Sequence, residues 1–313
     1  MFNQLLIYEG TVLFKMNFKK YFNITDKEPD FLDIPIDADL EVFIDPFLIA
    51  NNKNDKLIDE IYNQVKAFFV KLNKQYIVTN DRLNGLLFLD YLHEPNEYHL
   101  GYSASNKGAA ISNIRAREIF DALRNNRFAR RGISVTNEAH NVLLLVTGIG
   151  QDIMSDTIAN VCRDIFAKFT HEQCIKYGIA TQKFSRHFFN PISQNWETVS
   201  FDLPSYLGKP IILLPRKIIS SPRYYGNSYN QFIAGNYIAK DMLAGKIAVA
   251  SDGRYIHTLK DGTRKAVIKR IVEHYGKPKD DLIDFVLEYG GSLDKFLDYV
   301  KERYPGIDFS DLE

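Results

Sequence analysis

Four aspartates stand where metal-assisted chemistry could be built. Asp37 and Asp39 lie in the alternating run Ile36-Asp37-Ala38-Asp39-Leu40-Glu41-Val42-Phe43-Ile44-Asp45-Pro46, and Asp152 and Asp156 follow Gly148-Ile149-Gly150. Hard carboxylate oxygens suit Mg²⁺ or Mn²⁺, and two such ions can activate water and stabilise the leaving oxygen in phosphodiester cleavage. The four are the candidate catalytic residues of a Mg-dependent nuclease, with Asp37 and Asp39 its candidate metal ligands. Spacing limits the idea. On an unbroken strand at about 3.3 Å per residue, Asp37 and Asp45 lie roughly 26 Å apart and cannot share an ion. Asp37 and Asp39, about 7 Å apart, bracket one only if another segment supplies a third group. Asp156, in the first turn of an expected helix, is equally explained as a complement to the helix dipole. A restriction-endonuclease-like core would also need Asp/Glu-x-Lys on the next strand, and no clear example occurs.

A second chemistry is phosphate binding. Gly101-Tyr102-Ser103-Ala104-Ser105-Asn106-Lys107-Gly108 is small, polar and glycine-bearing, and it runs into an expected helix from Ser112 to about Arg130. Such a loop can turn backbone N–H groups onto an anion, with Lys107 and Arg115 supplying charge. It lacks the GK[ST] ending of a P-loop, and Gly148/Gly150 lack the third glycine of a dinucleotide fingerprint. The helix carries Arg117, Arg124, Arg127 and Arg131 on one broad face, a candidate surface for nucleic-acid phosphates. A solvated face, or an internal partner for the acidic strand, explains the same arginines more simply. Arg216, Lys217 and Arg223 with Tyr224 and Tyr225 form another basic and aromatic cluster. The seven histidines show neither an HExxH nor an HD pair.

These residues need elements to hold them. Strict apolar/acidic alternation predicts a half-buried strand over 36–45, ended by Pro46, with Asp37, Asp39, Glu41 and Asp45 on its polar face. Asp55 is a cap for an amphipathic helix to about Lys74. Asp81–Leu92 is helical or mixed and ends in the turn His93-Glu94-Pro95-Asn96. Val142–Val146 reads as a central buried strand, with Ser155 capping a helix from Asp156 to about Phe169 and a short helix following from Thr170 to Gly178. Thr198–Leu203 and Pro210–Leu214 read as a hairpin-like strand pair, and Trp196 as a packing anchor. Helices then fit Asn230–Leu243, Arg264–Tyr275, Asp280–Tyr289 and Leu293–Arg303, with a strand at Ile247–Ala250 and a hairpin arm at Arg254–Thr258. The fold class is α/β or α+β: a mixed sheet containing the acidic strand and Val142–Val146, packed with helices, and a helix-rich C-terminal part. Residues 1–194 would form the core and 195–313 a β-hairpin plus helical region, unless all belong to one domain.

Composition sets broad bounds. The 313 residues are 45% hydrophobic and 25% charged, and Lys+Arg and Asp+Glu both total 39, so any charge-based recognition must come from local patches. Two cysteines, Cys162 and Cys174, are too few for a disulfide framework and suit a reducing, cytoplasmic setting. No apolar run approaches the roughly 20 residues of a membrane helix. Phe2–Phe14 lacks a basic leader, and Met16 could serve as a start, which would make the first fifteen residues dispensable.

Taken together, Ile36-Asp37-Ala38-Asp39 through Phe43-Ile44-Asp45-Pro46, the Gly101–Gly108 loop, and Gly148-Ile149-Gly150-Gln151-Asp152 through Ser155-Asp156 resemble an uncharacterised group of bacterial proteins associated with mobile elements and antiphage defence. The resemblance touches about half the chain through short patches. It implies a bacterial cytoplasmic protein acting on foreign nucleic acid and identifies no catalytic residue. The leading expectation is a defence-type protein that engages nucleic-acid phosphates, with Mg or Mn for cleavage. The alternatives are a non-catalytic sensor or interaction subunit, binding a protein partner or a second copy, and a nucleotide-binding enzyme centred on the Gly101–Gly108 loop.

Overall fold

In the computed structural model, buried helices rather than a sheet form the centre of the molecule. It describes residues 7–8, 11–12, 16–101, 112–126, 134–248, 253–276, 281–304 and 306–307. The fold is α+β, and each strand pair among these residues is two-stranded and antiparallel.

The order begins with the paired strands Ile7–Tyr8 (β1) and Thr11–Val12 (β2), then the short helix Phe18–Tyr21 (α1). Phe43–Ile44 (β3) follows, then Pro46–Asn51 (α2) and Lys56–Lys71 (α3). Asp55 caps α3 by accepting from the N–H groups of Leu57 (3.1 Å) and Ile58 (3.5 Å). Ile58, Ile61, Val65, Phe68 and Phe69, spaced for one helical face, all point into the core. Arg82–Leu89 (α4) is capped by Asp81 and leads through the 93–99 loop to Ser112–Asn125 (α5).

Next come Ala139–Leu145 (α6), Gln151–Val161 (α7) and Arg163–Tyr177 (α8), the last closed by Gly178 in the left-handed conformation. Val142–Val146 is therefore not a strand. Its apolar run is too short for periodicity to separate a buried strand from a buried helix, and the Val146 N–H bonds the Val142 carbonyl at 3.0 Å. Ser155 does not cap either: it lies inside α7, and its Oγ accepts the Ile44 N–H at 3.0 Å. Thr170 starts no separate helix, because its hydroxyl donates to the Phe166 carbonyl within α8 and accepts from the Leu213 N–H.

Gln182–Asn190 (β4) pairs with Asn195–Leu203 (β5), whereas Pro210–Leu214 joins neither. Ser205–Tyr206 (β6) and Lys209–Pro210 (β7) form a minimal hairpin, and Ile219–Ser220 (β8) pairs with β3. Tyr225–Ile233 (α9), Ala239–Leu243 (α10), the hairpin Ile256–Thr258 (β9) and Arg264–Ala266 (β10), and the helices Ile268–Tyr275 (α11), Leu282–Glu288 (α12) and Ser292–Arg303 (α13) complete the described chain. Part of the expected Ile247–Ala250 strand lies outside the described residues.

Two apolar clusters result. One spans Phe18 to Ile219 and the other gathers Tyr225 to Val300 onto Phe47, Leu144 and Leu145, so the apolar packing divides after Ile219 and the β4–β5 hairpin spans position 194.

The acidic run is only partly a strand. Ile36, Ala38, Val42 and Ile44 are buried and Asp37 and Glu41 exposed, as alternation demands, but Phe43 and Asp45 are buried too. Asp45, with no exposure, caps α2 through the N–H groups of Phe47 (2.8 Å) and Leu48 (3.4 Å). It also accepts the Tyr225 hydroxyl at 2.6 Å and faces Arg223 at 3.8 Å. This carboxylate links the two apolar clusters. Asp45→Ala removes a cap and the buried carboxylate that faces Arg223, so it should cost about 3 kcal/mol or more in urea unfolding, against about 1 kcal/mol for Tyr225→Phe. A loss below about 1 kcal/mol for Asp45→Ala would show that the junction does not depend on it.

Candidate functional site

A buried guanidinium organises the region around the aspartates. Arg163, with no exposure, opens α8 and donates through Nε to Glu97 (2.9 Å), through Nη1 to the His187 carbonyl (2.7 Å) and through Nη2 to Asn160 Oδ1 (2.7 Å). Asn160 returns its Nδ2 to the carbonyls of His93 (2.7 Å) and Asp156 (2.8 Å). His93 Nδ1 lies 2.9 Å from Asn160 Oδ1. An amide oxygen only accepts, so this nitrogen of His93 carries the proton. Burial and then Arg163 hold the His93 pKa below its ordinary value. These bonds pin the 93–99 loop, which pairs with the acidic run where the Leu40 N–H meets the His99 carbonyl at 2.9 Å.

The pinned loop places Glu94 within electrostatic reach of two aspartates. Burial, and then Glu94, push Asp39 up to about 6. Asp156 is pushed up to about 7 by burial first and then by Asp152, against the opposing pull of Arg115, with Glu94 adding to the rise. Asp152 and Asp156, four residues apart, share a face of α7. Arg115 of α5 donates to both, through Nη2 to Asp152 (3.4 Å) and through Nη1 to Asp156. Asp152 and Asp156 thus share one guanidinium, and Glu94 lies within electrostatic reach of both Asp156 and Asp39.

Asp37 belongs elsewhere. It is exposed and lines a cleft of about 500 Å³ with Glu97, His99, Arg186 and Lys209. Asp152 borders a different cleft of about 640 Å³ with Arg223, Tyr224, Asn227 and Asn230. Asp37 and Asp39 therefore serve different surroundings. Among the described residues, no group of three or more His, Cys, Asp or Glu is placed to hold a metal ion.

The arginines divide similarly. Arg115 is an internal counter-ion, Arg117 is exposed, and Arg124 donates through Nε to Asn80 Oδ1 at 3.1 Å. Lys107, Arg127 and Arg131, and the glycine loop after Gly101, lie outside the described residues. Glu94, His93, Asn160 and Arg163 carry the geometry without having been singled out from sequence. Their one sequence signal is a polar stripe, Asp152, Asp156, Asn160 and Arg163, running at helical spacing through an otherwise apolar stretch.

The Asp156 shift has a thermodynamic consequence. A carboxyl whose folded pKa exceeds its unfolded value binds a proton that the unfolded chain releases. Its stabilising contribution is complete below the ordinary 3.8 and is lost as pH rises through about 7. Asp156→Asn removes this penalty, so the variant should gain on the wild type by about 2–4 kcal/mol between acid and neutral pH. His93, His99 and His140 titrate in the opposite sense, but in both proteins, and cancel in the difference. Urea unfolding across this range measures it, and a pH-independent difference would show that Asp156 is not destabilised as an anion.

No curated protein and no solved structure matches the chain. A family model described as "Domain of unknown function (DUF8370)" matches residues 22–226, which include Asp39, Glu94, Arg115, Asp152, Asp156 and Arg163 and end beside the division between the two apolar clusters. The match covers well over half of the sequence, and the chain belongs to this family.

Proposed function

We propose that this chain is a bacterial defence-type protein that engages nucleic-acid phosphates, with Arg115, Asp152 and Asp156 as the candidate residues for phosphodiester cleavage. The observation that supports this most is the single guanidinium of Arg115 held by two neighbouring carboxylates, Asp152 and Asp156, with Glu94 adding negative charge nearby. Such an excess of negative charge is relieved by a proton or by a bound cation. Arg115 now stands between Asp152 and Asp156, and a phosphate can draw it away because guanidinium and phosphate match as a bidentate pair. The cytoplasmic setting belongs to the same proposal; the structure itself has no helix long and apolar enough to cross a membrane among its described residues.

The same Arg115 contacts favour a second reading, a non-catalytic interaction subunit in which the cluster is a closed internal charge network. Incubating the full chain with single- and double-stranded DNA and RNA, with Mg²⁺ or Mn²⁺ at low salt, separates the two. Cleavage that falls by about 100-fold or more in Asp156→Asn, with circular dichroism unchanged, supports the enzyme. Absence of binding and of cleavage with all four substrates refutes it and leaves the interaction subunit.

A further inference from the structure

A concentration of positive charge lies outside the family-matched region. Between residues 253 and 276, Arg254, Lys260, Arg264, Lys265, Lys269 and Arg270 face only two carboxylates, Asp261 and Glu273, in a chain whose formal net charge is zero. All six cations are exposed. Asp261 is engaged by the turn, where it accepts the Thr263 N–H at 2.9 Å. Lys260, Arg264, Lys265, Lys269 and Arg270 make no ion pair among the described residues. Arg270 Nη1 instead donates to the Arg254 carbonyl at 3.1 Å, which sets two arginines side by side.

This charge sits on a fixed scaffold. Tyr255, Ile256 and Ile271 are buried in the second apolar cluster, and the Val267 N–H bonds the Tyr255 carbonyl at 2.8 Å, joining the β9–β10 hairpin to α11. Register places Lys265 opposite His257, on the face away from buried Ile256. Crowding like charges without internal partners costs the fold, and an arriving polyanion relieves that cost.

From this charge and its scaffold we infer that the β9–β10 hairpin and the start of α11 form a binding surface for the phosphate backbone of nucleic acid, separate from the carboxylate cluster. Phosphates fit because the surface offers several cations within a few residues and little else. A membrane surface also attracts cations, but segments that bind it set large apolar side chains beside them. Here Ile268, at 38% exposure, is the one exposed large hydrophobic residue described between 253 and 276. The surface requires no cleavage, so it holds or fails independently of the proposed catalytic centre.

The experiment is fluorescence anisotropy of the full chain with labelled single-stranded DNA, its duplex and the matching RNA, over a salt series beginning near 50 mM. The test variant is Lys260→Gln/Lys265→Gln/Lys269→Gln, whose exposed positions leave the core intact, with thermal unfolding checking its fold. Losing three phosphate contacts should weaken binding about 10-fold or more and lower the slope of log K against log salt by about 2 to 3. Wild-type affinity or slope in the triple variant overturns the inference. So does failure of the wild type to bind any of the three probes, or binding of the wild type to anionic phosphatidylserine vesicles in preference to them.

Discussion

A fully buried guanidinium is tolerable only where every direction it points in holds an acceptor, and that demand shapes the family-matched region. Taking an arginine out of water costs several kcal/mol, and leaving it unpaired costs more than its partners return. Arg163 meets the requirement with a carboxylate, an amide oxygen and a backbone carbonyl drawn from the 93–99 loop, α7 and the β4–β5 hairpin. The three elements are far apart in sequence and share this one polar centre. Hydrophobic contact would let the loop slide against α7, since apolar packing has no direction. Hydrogen bonds from a planar fork do not permit that, and the loop's placement follows from them.

Fixing the loop carries an electrostatic cost. The same bonds that hold His93 and Glu97 bring Glu94 towards Asp39 and Asp156, where it adds to the rise that burial imposes on both carboxyls. Arg115 offsets the charge of α7 but does not cancel it, since it serves two carboxylates and opposes only part of the rise at Asp156. A sequence selected for stability alone would replace Asp156 or Glu94 with neutral residues and keep the fold. Their presence in a half-buried setting is a local conflict between charge and burial that the rest of the fold sustains.

Legibility in the sequence followed the range of the interactions. The Asp55 cap and the apolar stripe of α3 depend on residues within one or two turns, and the pattern placed both. The C-terminal helices and the β9–β10 turn were legible for the same reason. The exception is Arg264–Ala266, expected to open the helix to Tyr275: it is strand β10, because its pairing with Ile256–Thr258 is a tertiary choice. Val142–Val146 was misread because a five-residue apolar run fits either a buried strand or a buried helix, and only its neighbours decide. The partner of β5 was missed because register depends on tertiary pairing, and β4 offers as good an alternation as Pro210–Leu214. Of the site, Asp39, Asp152, Asp156 and Arg115 were visible as residue types, but the pairing of Arg115 with Asp152 and Asp156 was not. Glu94 sat in a turn with no periodicity to mark it, and its role comes entirely from Arg163, 69 positions away in the chain.

Asp45 was read as one more acid on a strand's wet face, and its actual position changes how the two apolar clusters relate. A carboxylate that caps α2 inside the first cluster, while accepting from Tyr225 and facing Arg223, makes the order of α2 and the docking of α9 one event. Arg223 in turn donates to the Tyr304 carbonyl at the far end of α13, so the connection reaches the end of the helical region. On the other side, Gln151 at the start of α7 bonds Ser220 Oγ (3.0 Å) and accepts the Arg223 N–H (2.9 Å). The segment from Ser220 to Tyr225 is thus held from both sides, between the helix that carries Asp152 and Asp156 and the part that carries the basic hairpin.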